Sequence, residues 1–266
     1  MESSTGIQVL ITSHNCASYL NDCFSSIETA LAGYKWMMVF CDDVSTDDTE
    51  QIINNYKTTT SADSVVYQKY NTRSGSIGEA KNRGCLLSLN YKNDYPVICF
   101  MDADDLMGEQ RVSGLLPHLS DDQPIVFGDY VMQVLRDGEW VTASNSEFDG
   151  VTDSGHQFDG NITTEMRSEH LTFGYWCTLV HSSLIPDDGV LFREDIQNYD
   201  DFLTWWELKY SKNVNIVPIT GFVTHYYKFQ RPDSVQYRFL ESDAEILEQL
   251  FNLKSAIHPV PGYTGE

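Results

Sequence analysis

Cations are scarce in this chain. Its 266 residues carry 17 lysines and arginines against 39 aspartates and glutamates, a formal charge of −22. Such a surface repels nucleic acid and anionic membranes, which excludes both as broad binding partners. It equally repels an anionic small molecule, so a phosphate-bearing ligand needs a metal or local cationic groups. Long apolar runs are missing too. No stretch reaches the roughly 18 residues a membrane-spanning helix needs, and the apolar run near the N-terminus, Ile7 to Ile11, follows no basic region and is too short for a signal peptide. Cys16, Cys23, Cys41, Cys85, Cys99 and Cys177 form no C-x-x-C pair, and most lie in apolar stretches. They read as reduced core residues, not as a disulfide framework or zinc site. These absences lead to the expectation of a cytoplasmic protein. Repeats, low-complexity tracts and a clear inter-domain linker are absent as well.

What is present is organised. In the first half strand-like and helix-like segments alternate. Apolar runs occur at Ile7–Ile11, Met37–Cys41, Val65–Tyr67 and Val97–Met101. Between them, Leu20, Phe24, Ile27 and Leu31 recur at helical spacing; Ser45 and Asp48 resemble a capping box ahead of Ile52, Ile53 and Tyr56; and residues 78–89 read as a third helix. A helix over 111–119 follows. This order implies a parallel sheet with right-handed crossovers, with ligands at the carboxyl ends of the strands. Polar residues gather there: Thr12-Ser13-His14-Asn15, Asp42-Asp43 and Asp102-Ala103-Asp104-Asp105.

The last of these is the most informative. Three carboxylates in four residues repel one another, and a divalent cation offsets that charge. In an extended backbone Asp102 and Asp104 point the same way. Mg²⁺ typically takes one or two carboxylates and fills its shell with waters and phosphate oxygens. The alternative is a solvated turn in which Asp105 caps the next helix.

The second half is less regular. Residues 125–135 read as a strand with a bend at Gly128, 137–161 as a loop or weak hairpin through Trp140 and Val141, and 176–181 as a strand. Residues 200–210 read as a helix, 213–218 and 222–229 as two strands, and 234–254 as a terminal helix.

Four stretches together resemble the family 2 glycosyltransferases: Val9 to Asn15 with the helix after it, Val39 to Thr49 with its D-D-x-S-T-D, Gly78 to Gly84, and Asp102 to Asp105. The resemblance implies an α/β GT-A fold, a Rossmann-like mostly parallel sheet flanked by helices, as one domain. Residues 1–120 would bind a nucleotide sugar, 121–232 would bind the acceptor and carry the catalytic base, and 233–266 would form a helix and tail. It implies an inverting, Mn²⁺- or Mg²⁺-dependent transfer of one sugar from a UDP-, GDP- or dTDP-sugar to a saccharide or glycoconjugate hydroxyl. Donor contacts would fall on Thr12, Ser13, Asn15, Asp42, Asp43, Gly78, Lys81, Asp102, Ala103 and Asp104. The metal would fall on Asp104 and Asp102, with His225 as a further ligand. Asp201 would be the base, with Asp200 as its runner-up and Glu194 and Asp195 nearby. Tyr175, Trp176 and Trp206 would border the acceptor. Lys228 and Arg231 are two more cations placed to meet a diphosphate when a C-terminal loop closes.

The chain departs from the family pattern at three positions, one of them Asp200, where a glutamate is usual. Val44 stands where a glycine is usual, and Lys81 where an arginine is usual. A single-point-charge lysine cannot form the bidentate fork an arginine can. The Q-x-x-R-W signature of processive synthases is absent. Two rival readings remain at this level: a phosphoryl-transfer hydrolase, and a nucleotide- or sugar-binding protein of the same fold without turnover.

Overall fold

The computed structural model describes residues 5–142, 161–162, 174–196 and 200–228. The terminal helix expected over 234–254, and Arg231, lie outside the described residues.

The four expected apolar runs form a parallel sheet. They are β1 (Ile7–Ser13), β2 (Trp36–Asp42), β3 (Val65–Lys69) and β4 (Val97–Asp102), with β1 between β2 and β4 and β3 outside β2. Every residue of β2 is buried, as is all of β1 except Thr12. Continuous apolar runs of this kind belong to strands covered on both faces. The two faces sort by alternation. Leu10, Met37, Val39 and Phe100 enter one core cluster with Trp176, Phe192 and Trp205. Val9, Ile11, Met38 and Phe40 enter the other with Phe24, Ile27 and Val112.

Three helices make the crossovers: α1 (Ala17–Ala30), α2 (Thr49–Tyr56) and α3 (Ile77–Ser88). Helix α1 buries Leu20, Cys23, Phe24 and Ile27, the expected apolar stripe. Helix α3 is capped by Ser76, whose hydroxyl accepts the Glu79 N–H at 3.1 Å. The capping box expected at Ser45 does not form. Helix α2 begins only at Thr49, and the Ser45 hydroxyl accepts the backbone N–H of Asn15 instead. The connection between strands, not the helix start, claims that serine.

Past β4 the sheet becomes mixed. Its order is β3-β2-β1-β4-β9-β6-β10-β5. Strand β5 is Leu106–Met107, β6 Ile125–Arg136, β7 Glu139–Thr142, β8 Asn161–Ile162, β9 Thr178–His181 and β10 Ile216–Lys228. Strand β9 runs antiparallel to both β4 and β6, and β10 runs parallel to β6. Strands β7 and β8 pair with β6, so the hairpin expected through Trp140 is present. Short helix α4 (Arg111–Leu115) ends in a 3₁₀ turn, and α5 (Asp200–Trp206) continues into a π turn.

Two expectations change here. Residues 176 and 177 are not strand: Tyr175–Cys177 is a 3₁₀ turn, and β9 starts at Thr178. The segments expected as two strands, 213–218 and 222–229, contribute to one strand, β10, over Ile216–Lys228. The pairing to β6 jumps from Ile219↔Gly128 to Val223↔Asp129, so β10 carries an irregularity there, and Gly221 supplies its left-handed residue at φ +100°. Gly128, expected as a bend in β6, lies opposite that irregularity. A Cβ on it would meet the Thr224 methyl at 2.1 Å.

Candidate active site

Parallel register brings three polar strand ends to one edge. Ser13 pairs with Asp42 across β1 and β2, and Thr12 pairs with Asp102 across β1 and β4. The loops beyond them interlock. The Asn15 amide oxygen accepts the Thr46 N–H at 2.8 Å, and the Asp47 carboxylate accepts the Ala17 N–H at 2.9 Å. Asn15 holds φ +54°, a conformation asparagine tolerates. Val44 holds φ +65°, a genuine strain for a β-branched residue. The sequence departure at this position is therefore also a conformational one.

The two aspartates after β2 differ in use. Asp42 is fully buried and turned inward. Its oxygens accept the Ser45 N–H at 2.7 Å and the Tyr67 hydroxyl at 2.7 Å. Both of its oxygens thus take bonds from the protein itself, one from the loop after β2 and one from β3. Asp43 is gripped from the side of α3: Arg73 at 2.7 Å, Arg83 at 3.2 Å, and both the N–H and hydroxyl of Ser74. These three partners were not identified from the sequence. Arg83 lies four residues after Glu79, which it pairs at 2.7 Å, and that helical spacing was the available signal.

The acidic cluster departs from simple strand alternation. Strand β4 ends at Asp102, and the chain turns, with the Asp105 N–H donating to the Asp102 carbonyl at 3.4 Å. The turn gathers all three carboxylates: oxygens of Asp102, Asp104 and Asp105 lie within 4.8 Å of one another. Asp105 caps no helix, since α4 begins at Arg111. It is buried against β10, where it contacts His225 Nε2 at 2.9 Å and accepts the Lys228 N–H at 2.8 Å. Burial, and next the charge of Asp102, raise its carboxyl well above the ordinary range. Three carboxylates gathered this closely, an all-oxygen donor set, fit Mg²⁺ or Mn²⁺. His225 joins the cluster through Asp105. Its ring is fully buried, stacks on Trp176 at 4.5 Å, and is held neutral by burial and then by the Arg111 charge. Ala103 is buried within the turn.

Beneath the cluster lies Arg111, fully buried. It donates to the Phe100 and Thr178 carbonyls at 2.8 and 2.6 Å, with no carboxylate partner among the described residues.

The second acidic pair, Asp200 and Asp201, opens α5 and is buried. Lys81 reaches it from α3, its ammonium 2.8 Å from Asp200 and 3.8 Å from the centre of the Tyr175 ring. Burial works against that ammonium, yet Asp200, Asp201 and Asp102 outweigh it and raise its pKa. Lys81, expected to meet a diphosphate, pairs with Asp200 in this structure. Asp201 accepts the N–H groups of Tyr175 at 3.1 Å and Phe202 at 2.9 Å. Burial lifts its pKa to about 6, with Lys81 opposing the rise.

Tyr175 joins the two acidic groups. Its hydroxyl donates to Asp102, its backbone N–H donates to Asp201, and its ring covers Lys81. Tyr175, expected to border an acceptor, is 4% exposed, and its ring packs against Phe100 and Phe192. Trp176 is likewise covered, by His225 and Tyr227. Trp205 is core, while Trp206 is half-buried beside Tyr210. At Gly78, expected as a donor contact, a Cβ would fall 1.8 Å from the Arg193 carbonyl, so the missing side chain admits this chain's own backbone. Next to it, Asn82 bonds the Phe192 carbonyl, the Leu191 and Phe192 N–H groups, and Glu194. Asp195 pairs with Arg193, which holds its carboxyl below the usual range.

The model of the family described as glycosyl transferase family 2 matches residues 8–179. WfaP of Escherichia coli, a UDP-Glc:alpha-D-GlcNAc-diphosphoundecaprenol beta-1,3-glucosyltransferase, is 30% identical over 123 residues, 46% of this chain and 43% of that protein. The chain thus spans less than half the length of that relative. Among solved structures, S. aureus TarS 1–349, also solved in complex with UDP and with UDP-GlcNAc, superposes with a TM-score of 0.58 at 16% identity. It covers 95% of this chain and 73% of its own. The mannosyltransferase PcManGT from Pyrobaculum calidifontis, in complex with GDP-Man and Mn²⁺, gives 0.62 at 13% identity, covering 96% and 70%. At such identities the likeness is one of fold.

Proposed function

Because the chain belongs to the family 2 glycosyl transferases and has their α/β GT-A fold, we propose that it moves one sugar from a nucleotide diphosphate sugar to an acceptor hydroxyl, with inversion and with a divalent metal. The observation that carries this is the joining of the Asp102–Asp104–Asp105 cluster to the Asp200–Asp201 pair through the single residue Tyr175. One acidic group suits the leaving end of a donor and the other an attacking hydroxyl.

Asp201 is the base. A carboxyl with a pKa of about 6 is ionised at neutral pH yet more basic than a surface aspartate. Each of its oxygens accepts one backbone N–H, which fixes the carboxylate and leaves a lone pair on each for the acceptor proton. As the acceptor oxygen bonds to the anomeric carbon, the bond to the leaving nucleoside diphosphate breaks and its electron pair goes to phosphate oxygen. Asp104 and Asp102 would hold Mn²⁺ or Mg²⁺. When bound, that ion supplies charge neutralisation for the departing diphosphate. Asp102 is oriented for this by Tyr175, and Asp105 by His225 and the Lys228 N–H.

The base and ribose are assigned to the edge where Thr12, Ser13, Asn15 and Asp43 meet. Support comes from the buried Ser13 hydroxyl, which has no partner among the described residues, and from Asp43, held in place by Arg73 and Ser74. UDP-, GDP- and dTDP-sugars are the donor classes, in line with UDP-GlcNAc on TarS and GDP-Man on PcManGT. A saccharide or glycoconjugate would enter from residues 121–232, where Trp206 is one of the half-exposed aromatics.

Asp104→Asn tests the reading. Donor turnover with Mn²⁺ should be nearly abolished while the melting temperature of the metal-free protein holds. Full activity in that variant would sink the assignment. A thermal-shift panel of nucleotide sugars with Mn²⁺ or Mg²⁺ should identify the donor by its largest shift.

A further inference from the structure

Strands β4 and β9 start as partners and then part. They pair antiparallel at Val97↔His181 and Ile98↔Val180. Two residues on along β4 and two back along β9, the same register would set Phe100 opposite Thr178, but the pairing stops before it. Arg111 takes that place. Its Nη2 donates to the Phe100 carbonyl at 2.8 Å and to the Thr178 carbonyl at 2.6 Å, so one side-chain nitrogen stands in for a main-chain rung.

The substitution is a costly one. The guanidinium is fully buried, its Nη1 meets the Met101 sulfur at 3.8 Å, and its Nε–H has no partner among the described residues. A buried charge without a carboxylate pays heavily in lost hydration. A neutral ladder rung would join the same two residues without that cost. What the arginine adds is width between the strands.

That width lies at the root of the Tyr175–Asp102 contact. On one side, Phe100 stands two residues before Asp102, the last residue of β4. On the other, the Thr178 hydroxyl donates to the Tyr175 carbonyl at 2.6 Å. The Tyr175 ring stands edge-on to Phe100 with centres 5.6 Å apart, its hydroxyl donates to Asp102, and its N–H donates to Asp201. Arg111 therefore grips both partners of the contact from behind. We infer that Arg111 is a positioning residue for the transfer: by holding β4 and β9 apart at Phe100 and Thr178, it sets the gap across which Tyr175 reaches Asp102, and with it the spacing of the acidic cluster from Asp201. This rests on the transferase reading above.

The test is a double-mutant cycle of Arg111→Met with Tyr175→Phe, read as Mn²⁺ affinity by electron paramagnetic resonance. Uridine and guanosine are titrated by calorimetry beside it. Arg111→Met should weaken Mn²⁺ about 10- to 100-fold, the range for a lost partner of a metal-binding carboxylate. The double variant should bind Mn²⁺ within about 2-fold of Arg111→Met alone, because the arginine acts through the tyrosine. The nucleoside that binds wild type should bind the variants unchanged, since its edge lies on the far side of β4. Arg111→Lys, a shorter donor, should recover part of the Mn²⁺ affinity. If Arg111→Met does not fold, Arg111→Gln takes its place in the cycle. Losses that multiply in the double variant, or a nucleoside affinity that falls with that of Mn²⁺, overturn the positioning role and leave the transferase reading standing. A wild type that binds Mn²⁺ but turns over no nucleotide sugar overturns the transferase reading, and with it a role in transfer. Failure of wild type to bind Mn²⁺ overturns both the metal assignment and this inference.

Discussion

The ammonium of Lys81 and the carboxylate of Asp200 meet at 2.8 Å across 119 positions of sequence, with both side chains buried. The contact fastens α3 to α5, and so fastens the parallel half of the sheet to the segment carrying Asp201. Removing one partner of such a pair leaves an uncompensated buried charge. Lys81→Met should therefore cost about 3–5 kcal/mol in chemical denaturation. The double variant Lys81→Met/Asp200→Leu should recover much of that loss.

Asp201 leads to a pH prediction. Its folded pKa, about 6, lies above the ordinary aspartate value of 3.8. The stability it contributes is thus present in full below about pH 4 and is lost as pH rises through about 6, because the folded state holds the proton more tightly. Activity runs the opposite way. As a base it must be ionised, so kcat/KM should climb up to about pH 6 and level above it. Asp201→Asn should remove that limb and cut the chemical step far more than donor affinity. A collapse of donor binding in that variant would mean the base lies elsewhere.

Tyr175→Phe isolates a single hydrogen bond. The ring stays on Lys81 and the backbone N–H stays on Asp201; only the hydroxyl to Asp102 is lost. Partners that orient metal-binding carboxylates are worth about 10- to 100-fold in metal affinity or activity. The Mn²⁺ concentration for half-maximal turnover should rise by that order, with the pH profile unmoved. An unchanged metal dependence would assign the hydroxyl to packing alone.

Val44 sits at φ +65°, where an L-residue suffers about 1–2 kcal/mol of strain. Val44→Gly relieves it, offset in part by the greater freedom of glycine in the unfolded chain. A net gain of about 1 kcal/mol, seen as a rise of about 2–4 °C in melting temperature, is the expected result. A fall would show that the valine side chain packs usefully in the loop.

The sheet through β4 was legible because its strands are unbroken apolar runs separated by helical spacing, and both signals are local. What the sequence concealed was long-range. The segments at 213–218 and 222–229 read as two strands; pairing with β6 joins residues 216–228 into one. Tyr175 and Trp176 looked like surface platforms because aromatic rings do stack on sugars. They are instead covered by Lys81, Phe192, His225 and Tyr227, all distant in sequence from the motif they adjoin. The acidic cluster was visible in composition, but its turn was not, since extended spacing suggested that Asp102 and Asp104 alone share a face. Lys81 was recognised as a cation facing the strand ends, with nothing local to say which anion it answers.

The register Ser13↔Asp42 and Thr12↔Asp102 sets the two outer strand ends two inter-strand steps apart, about 10 Å at the usual spacing. The backbone ladder thereby acts as a ruler. A ligand held at both the Asp43 and the Asp102 ends must have that reach, and a shorter one can satisfy only one end. Side-chain changes can alter how strongly either end grips, but the interval between them is written in main-chain hydrogen bonds, where no single substitution can rescale it.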